Sequence, residues 1–293
     1  MDARGCEMKL WIIGSGGLLG QTLLSYCRQE GIDAIGTTHF EADICNFNQL
    51  KDKASKIHPA HIVNCAAYTN VDGAEGDQER AFAVNCEGAG NVALVARELS
   101  CPLVHISTDY VFDGNSQQPY REEDLCAPIN IYGKSKWAGE KKVLELLPSS
   151  CILRTSWLFA PQGKSFISSL LQWFQQKEEL QVVCDQEGKP TYCPDLAEAI
   201  IALLDTQGIV HFASQGGASR FRIALDLLEA VRDKGIPMKC KRIIPVRSSQ
   251  FPTPASRPAY SVLDTSKYAA LTSKQPRPWR KTINEFLDAT LKI

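Results

Sequence analysis

A chain of 293 residues that is 44% hydrophobic and 22% charged, with a net charge of −1, has the composition of a soluble globular protein of one large or two ordinary domains. The near-neutral balance excludes a nucleic-acid or anionic-membrane surface, and no apolar run reaches the roughly 18 residues of a membrane helix. Eleven cysteines without a C-x-x-C pair, and five scattered histidines, read as buried thiols of a reducing compartment with no structural metal. The polar start is unlike a signal peptide, so the expected location is cytoplasmic, with residues 1–7 as an extension ahead of the first strand.

In chain order, an apolar run over 9–13 stops at Gly14-Ser15-Gly16-Gly17-Leu18-Leu19-Gly20. A helix follows to about residue 28. Then come a strand over 32–35, a helix over 48–56, a strand over 62–64, a helix over 80–99 and a strand over 103–107. Strands separated by helical patterns predict an α/β fold built on a Rossmann-type doubly wound parallel sheet. Glycines between the first strand and helix permit a tight turn and close approach of a pyrophosphate, which a helix N-terminus favours. Gly14, Gly16, Gly17, Leu19 and Gly20 are therefore candidate dinucleotide contacts.

After the second strand, Gly36-Thr37-Thr38-His39 offers neither a carboxylate for a ribose 2′-hydroxyl nor an arginine for a 2′-phosphate. This points to NADPH, with NADH also acceptable. Asp43 and its neighbour Ile44 are placed at the adenine edge, with the alternative that Asp43 caps the next helix. Past the third strand, Ala67, Tyr68 and Thr69 leave room for a cofactor along the backbone, and close strand–helix packing explains them equally well.

The chemistry is carried further on. Thr108 sits at the carboxyl end of a strand, where open α/β sheets bind substrates. Tyr132 and Lys136 are four residues apart, so on a helix they share one face. A nearby ammonium lowers a phenol from its ordinary value of about 10 and makes it a usable general acid or base. The helix itself is expected over 136–147.

These motifs resemble the extended short-chain dehydrogenase/reductases, and within them the dTDP-4-dehydrorhamnose reductases. The likeness rests on residues 63–72 (VNCAAYTNVD), 83–85, 107–114 (STDYVFDG), 132–140 (YGKSKWAGE), 154–157 (RTSW), 190–196 and 251–258 (FPTPASRP). It implies reduction of the C4 ketone of dTDP-4-dehydro-L-rhamnose to dTDP-L-rhamnose. Tyr132 would protonate the oxygen, Lys136 would lower the Tyr132 pKa and hold the nicotinamide ribose, and Thr108 would orient the carbonyl. It also implies sugar contacts from Asp109, Tyr110 and Trp157, with Val71 and Thr69 lining the same pocket and Arg257 as a diphosphate ligand.

The second half reads as helices over 166–176, 195–204 (capped by Asp195) and 223–233, with strands over 180–183 and 209–212. Residues 1–155 are expected to form the dinucleotide-binding domain. Residues 156–293 are expected to form a smaller C-terminal substrate-binding lobe, some of whose segments return to the first domain. Some family members dimerise through Mg²⁺ held by glutamates, but Pro194 stands where one is expected. That leaves a monomer or a homodimer and no assigned metal ligand. A dehydratase on this fold carries a second carboxylate after the threonine, and Tyr110 follows Asp109 here. Another nucleotide-sugar reductase or epimerase remains open, as does a non-catalytic regulatory subunit like that of methionine adenosyltransferase.

Overall fold

The computed structural model describes residues 9–291; the leading segment 1–7 lies outside the described residues. The chain runs through β1 (Leu10–Ile13), α1 (Leu18–Gln29), β2 (Ala34–Thr37), α2 (Phe47–Ile57) and β3 (His61–Asn64). It continues through α3 (Val71–Gly76), α4 (Gln78–Phe82), α5 (Ala89–Glu98), β4 (Leu103–Thr108), α6 (Ile131–Leu146) and β5 (Cys151–Thr155). With the strand Gly208–His211 these form a six-stranded parallel sheet, ordered Gly208–His211, β5, β4, β3, β1, β2. β2 lies on one side of β1 and β3 on the other, so the strand order reverses there. The carboxyl ends of β1 and β3 then open the crevice in which such sheets take ligands.

Both faces are covered. Leu10, Ile12 and Leu153 meet Leu23 of α1 and Leu196 and Ile200 of the helix Cys193–Ala202. Trp11, Ile13 and Ile152 meet Leu50 of α2, Val92 of α5 and Val143 of α6. Part of the second half thus belongs to the first sheet. A separate core gathers the helices Phe166–Gln176, Arg220–Asp233 and Trp279–Leu291 around the parallel strand pair Glu179–Val183 and Arg242–Val246.

Four local expectations shift. β2 begins two residues late because Ile32 N–H is bonded to Cys27 O, closing α1 with Gly31 at φ 68°. The helix expected over 80–99 is divided by a π-turn at Ala83–Gly88, a widening common at functional sites. Asn85 of that turn accepts from Tyr68 N–H (2.8 Å) and donates to Tyr68 O (3.0 Å) and Ser135 Oγ (2.9 Å). The helix around Asp195 begins at Cys193, with Pro194 in its first turn. Asp195 does not cap it but accepts from Arg277 at 2.5 and 3.1 Å. Finally, α6 begins at Ile131, capped by Asn130 on Gly133 N–H at 2.7 Å, so Tyr132 and Lys136 lie in its first two turns.

Candidate active site

The first wall of the site is the turn after β1. Gly14 has φ 83°, and a Cβ there would come within 2.6 Å of Ala66 N, so the ends of β1 and β3 meet backbone to backbone. Gly17 then caps α1 with no side-chain hydrogen bond, and the first turn holds no acidic residue. Its leading N–H groups therefore have no side-chain acceptor, which suits an anion. A cavity of about 910 Å³ runs from here across the carboxyl ends of the strands. Gly14, Gly17, Leu19, Gly20, Asp43, Ile44, Ala67, Tyr68 and Thr69 line it, as do Val71, Thr108, Asp109, Tyr110, Tyr132, Lys136 and Trp157. Gly16 is not on that wall; it is exposed and lies against Thr38. Asp43 leaves the capping of α2 to Asn46, which accepts from Gln49 N–H at 3.1 Å.

The end beyond β2 is more charged than its sequence suggests. Glu41 reaches back to accept from Thr38 N–H (2.9 Å) and Thr38 Oγ1 (3.0 Å), so a carboxylate does stand at this turn. His39 and, from α4, Arg80 line the cavity beside it.

At the opposite end, α6 lies so close to the strand end that a Cβ on Gly133 would strike Tyr110 O at 2.1 Å. This presses Tyr132 among Thr108, Asp109 and Tyr110, edge-on to the Tyr110 ring at 5.7 Å. Burial pushes the Tyr132 phenol above its ordinary value, against the pull of the Thr108 hydroxyl. Lys136, expected from the sequence to lower it, has its Nζ turned to other partners in this structure. Lys136 is buried and directs Nζ to the Ile106 carbonyl at 2.7 Å and to His105 Nε2 at 3.4 Å. Burial pulls Lys136 down to about 8. The phenol therefore has a proton to give near neutrality, and Lys136 titrates closer to neutrality than an exposed lysine does.

Thr108 donates to Asp109 Oδ1 at 3.0 Å, and burial pushes the Asp109 carboxyl up to about 6. Asp109 Oδ2 and the Trp157 indole N–H are buried with no hydrogen bond closed among the described residues, the carboxyl beside Ser261 and the indole edge against Gly188. Trp157 holds φ 45°, a conformation side chains rarely adopt, while Ser156 Oγ fixes the turn by donating to Lys189 O at 2.7 Å.

Arg257 is not among the residues lining the cavity and sits behind Tyr110, which is. It donates to Asp72 of α3 at 2.7 and 3.0 Å and to Thr253 and Ala255 of its own loop, so its charge is spent tying that loop down. A cation that lines this wall is Arg220, at the start of the helix Arg220–Asp233. Its guanidinium lies 4.3 Å from the Trp157 ring and 4.9 Å from that of Phe166, and it donates to Gln186 at 3.3 Å. Lys164 lines the same wall. The sequence reading placed that helix start three residues late and so passed over Arg220. Among the described residues no group of three or more His, Cys, Asp or Glu side chains could hold a metal, and no helix is long and apolar enough to cross a membrane.

Comparison with known proteins agrees with this geometry. The family described as RmlD substrate binding domain matches residues 8–292. The dTDP-4-dehydrorhamnose reductase of Mycobacterium tuberculosis is 37% identical over 295 residues, covering 97% of this chain and 94% of that protein. The dTDP-4-keto-6-deoxy-D-glucose reductase of Streptomyces niveus is 39% identical over 271 residues, covering 89% and 91%. The crystal structure of the dTDP-4-dehydrorhamnose reductase of Bacillus anthracis in complex with NADP superposes with a TM-score of 0.91 at 35% identity, covering 96% of this chain and 99% of that one. A nicotinamide-linked oxidoreductase fold, a protonated phenol at the end of its cleft and full-length relatives agree: the chain belongs to the RmlD substrate binding domain family, that of the dTDP-4-dehydrorhamnose reductases.

Proposed function

We propose that this chain reduces the C4 ketone of dTDP-4-dehydro-L-rhamnose to dTDP-L-rhamnose, the last step of dTDP-rhamnose formation, with NADPH as the preferred donor and NADH accepted. The observation that carries it is Tyr132, buried beside Thr108 and Lys136 at the end of a dinucleotide-sized cleft. When bound, the dinucleotide supplies the hydride. The turn from Gly14 to Gly20 and the uncapped start of α1 hold its pyrophosphate, Asp43 and Ile44 its adenine edge, and Ala67, Tyr68 and Thr69 its flank. Arg80 and the His39 ring line the cavity at the adenosine end, where a guanidinium would meet a 2′-phosphate, in line with the NADP bound by the Bacillus anthracis relative.

The residues of this chain then divide the work. Thr108 hydrogen-bonds the ketone oxygen, and Tyr132 delivers the proton that the nascent alkoxide needs. Lys136 holds the nicotinamide ribose. Val71, Asp109, Tyr110 and Trp157 take the sugar, an Asp109 oxygen accepting from a hydroxyl and the Trp157 N–H donating to one. Arg220, with its plane fixed by two aromatic rings, takes the diphosphate in place of Arg257. The segments of 156–293 that build the separate core, rather than those that join the first sheet, supply this substrate lobe. The free thiols of the described residues suit a reducing, cytoplasmic location.

The Streptomyces niveus relative supports a second reading, reduction of dTDP-4-keto-6-deoxy-D-glucose at the same carbon. Oxidation of NADPH and NADH is to be followed spectrophotometrically with each sugar in turn. Turnover of the rhamnose precursor establishes the first reading, and turnover of the glucose-configured ketone alone establishes the second. Silence with both, despite tight dinucleotide binding, returns the chain to the regulatory-subunit reading.

A further inference from the structure

Beneath the reactive lysine lies a buried polar chain that the proposed chemistry does not use. Asn64 and His105 are register partners across β3 and β4, and both are almost wholly buried. Asn64 Oδ1 accepts from Ala66 N–H at 3.0 Å. That fixes the amide, so Nδ2 is the atom that faces His105 Nδ1 at 3.1 Å. An amide nitrogen only donates, and His105 Nδ1 must therefore be the unprotonated nitrogen of the ring. A neutral imidazole with a bare Nδ1 carries its hydrogen on Nε2. Nε2 is the atom 3.4 Å from Lys136 Nζ.

An N–H directed at an ammonium sets two donors against each other, whereas a neutral amine has a lone pair to receive it. We propose that His105, its tautomer fixed by Asn64, is a positioning residue that presents an N–H to Lys136 and so biases it toward the neutral amine. The remaining hydrogens of Lys136 serve the Ile106 carbonyl at 2.7 Å and the cavity. The titratable groups that face Lys136 are Glu140 one turn on along α6, Cys65 beyond β3, His105 on β4 and Tyr132 one turn back. Of these Glu140 favours the ammonium, while burial pushes the Cys65 thiol up to about 12 and leaves it uncharged near neutrality. Burial pulls both Lys136 and His105 down, and the Lys136 charge further disfavours protonation of His105. The device keeps the lysine responsive to pH near neutrality, where an exposed lysine is fully charged.

The inference deepens the reductase reading, on which it rests for the importance of Lys136, but its first test involves no turnover. The full chain is labelled with ¹⁵N-histidine, and the ring nitrogens of His105 are assigned by their loss in His105→Leu. A bare Nδ1 and a protonated Nε2 at neutral pH are expected. A protonated Nδ1 with a bare Nε2, or an imidazolium, overturns the proposal even in a fully active enzyme. The tautomer can equally be found in a protein that reduces no sugar, and then only the functional reading fails. Second, the basic limb of the kcat–pH profile is expected to move up by about one unit in His105→Leu. A uniform fall in kcat with the limb unmoved marks His105 as a packing residue and overturns the proposal. If His105→Leu does not fold, the remaining histidines are assigned by their own substitutions and His105 by elimination, and the tautomer decides alone.

Discussion

Lys136 and Tyr132 share one face of α6 without sharing a hydrogen bond among the described residues: Nζ turns to Ile106 O and His105, and burial keeps the phenol protonated. In the direction of ketone reduction this is the useful arrangement, because the group next to the forming alkoxide must give a proton. Tyr132→Phe is expected to lower kcat by about 10²–10⁴-fold, the usual scale for a positioned general acid. Dinucleotide affinity, measured by fluorescence titration, is expected to stay within about 2-fold, since the pyrophosphate and adenine ends are untouched. Near-normal turnover would remove Tyr132 from the mechanism.

Arg220 and Arg257 are expected to separate sharply. Arg220→Met removes a charge-assisted bond of about 1.5–3 kcal/mol, raising the KM for the nucleotide-sugar roughly 10–100-fold and leaving that for NADPH alone. Arg220→Lys restores only part, because an ammonium lacks the plane that stacks between Trp157 and Phe166. Arg257→Ala breaks a partly exposed pair with Asp72, worth about 1 kcal/mol or less. It is expected to change that KM less than about 5-fold while speeding proteolysis of the loop at 251–258. Equal KM effects would undo the assignment of the diphosphate to Arg220.

What the sequence made legible was local. The βα glycine turn, the spacing of Tyr132 and Lys136, and Thr108 at a strand end depend on neighbours within a few residues, and the cavity brings them together. What stayed hidden depends on contacts distant in the chain. Arg257 looks free until Asp72, 185 positions away, is seen beside it. Arg220 looks like a helix surface residue until Trp157 and Phe166 flank it. The phenol's environment was misjudged because i, i+4 spacing sets which face two side chains share, while the burial that dominates both groups comes from β4 and its neighbours.

The dinucleotide preference is expected to turn on two residues outside the glycine turn. Arg80→Ala is expected to weaken NADPH by about 10-fold or more with little change for NADH, as loss of one cation from a 2′-phosphate implies. Glu41→Gln works in the opposite sense: it removes a negative charge from Thr38, whose N–H and hydroxyl it occupies, and shifts the ratio toward NADPH. Paired Kd measurements for the two dinucleotides check both. Parallel changes for NADPH and NADH would place these residues away from the 2′ position.

The sheet's stability should carry its own pH signature. Glu140 of α6 and Arg154 of β5 form a buried pair at 2.7 and 2.9 Å, and Arg154 also faces His211 Nε2 at 3.4 Å. Burial, and then the Arg154 charge, hold His211 down to about 3. Between about 6.5 and 3 the unfolded chain binds a proton there that the native state refuses. Stability therefore falls as pH drops through that window, by about 1.4 kcal/mol per unit for this one group. His105 adds to the slope in the same direction, and Asp109, raised to about 6, opposes it below that value. His211→Gln is thus expected to flatten the acid limb of a denaturation-midpoint series without abolishing it. Arg154→Met, which strands Glu140 in the interior, is expected to cost about 3–5 kcal/mol, and the double variant with Glu140→Gln to recover part of that loss. A pH slope unchanged in His211→Gln would show that this ring is protonated in the native state and that the Arg154 contact is absent in solution.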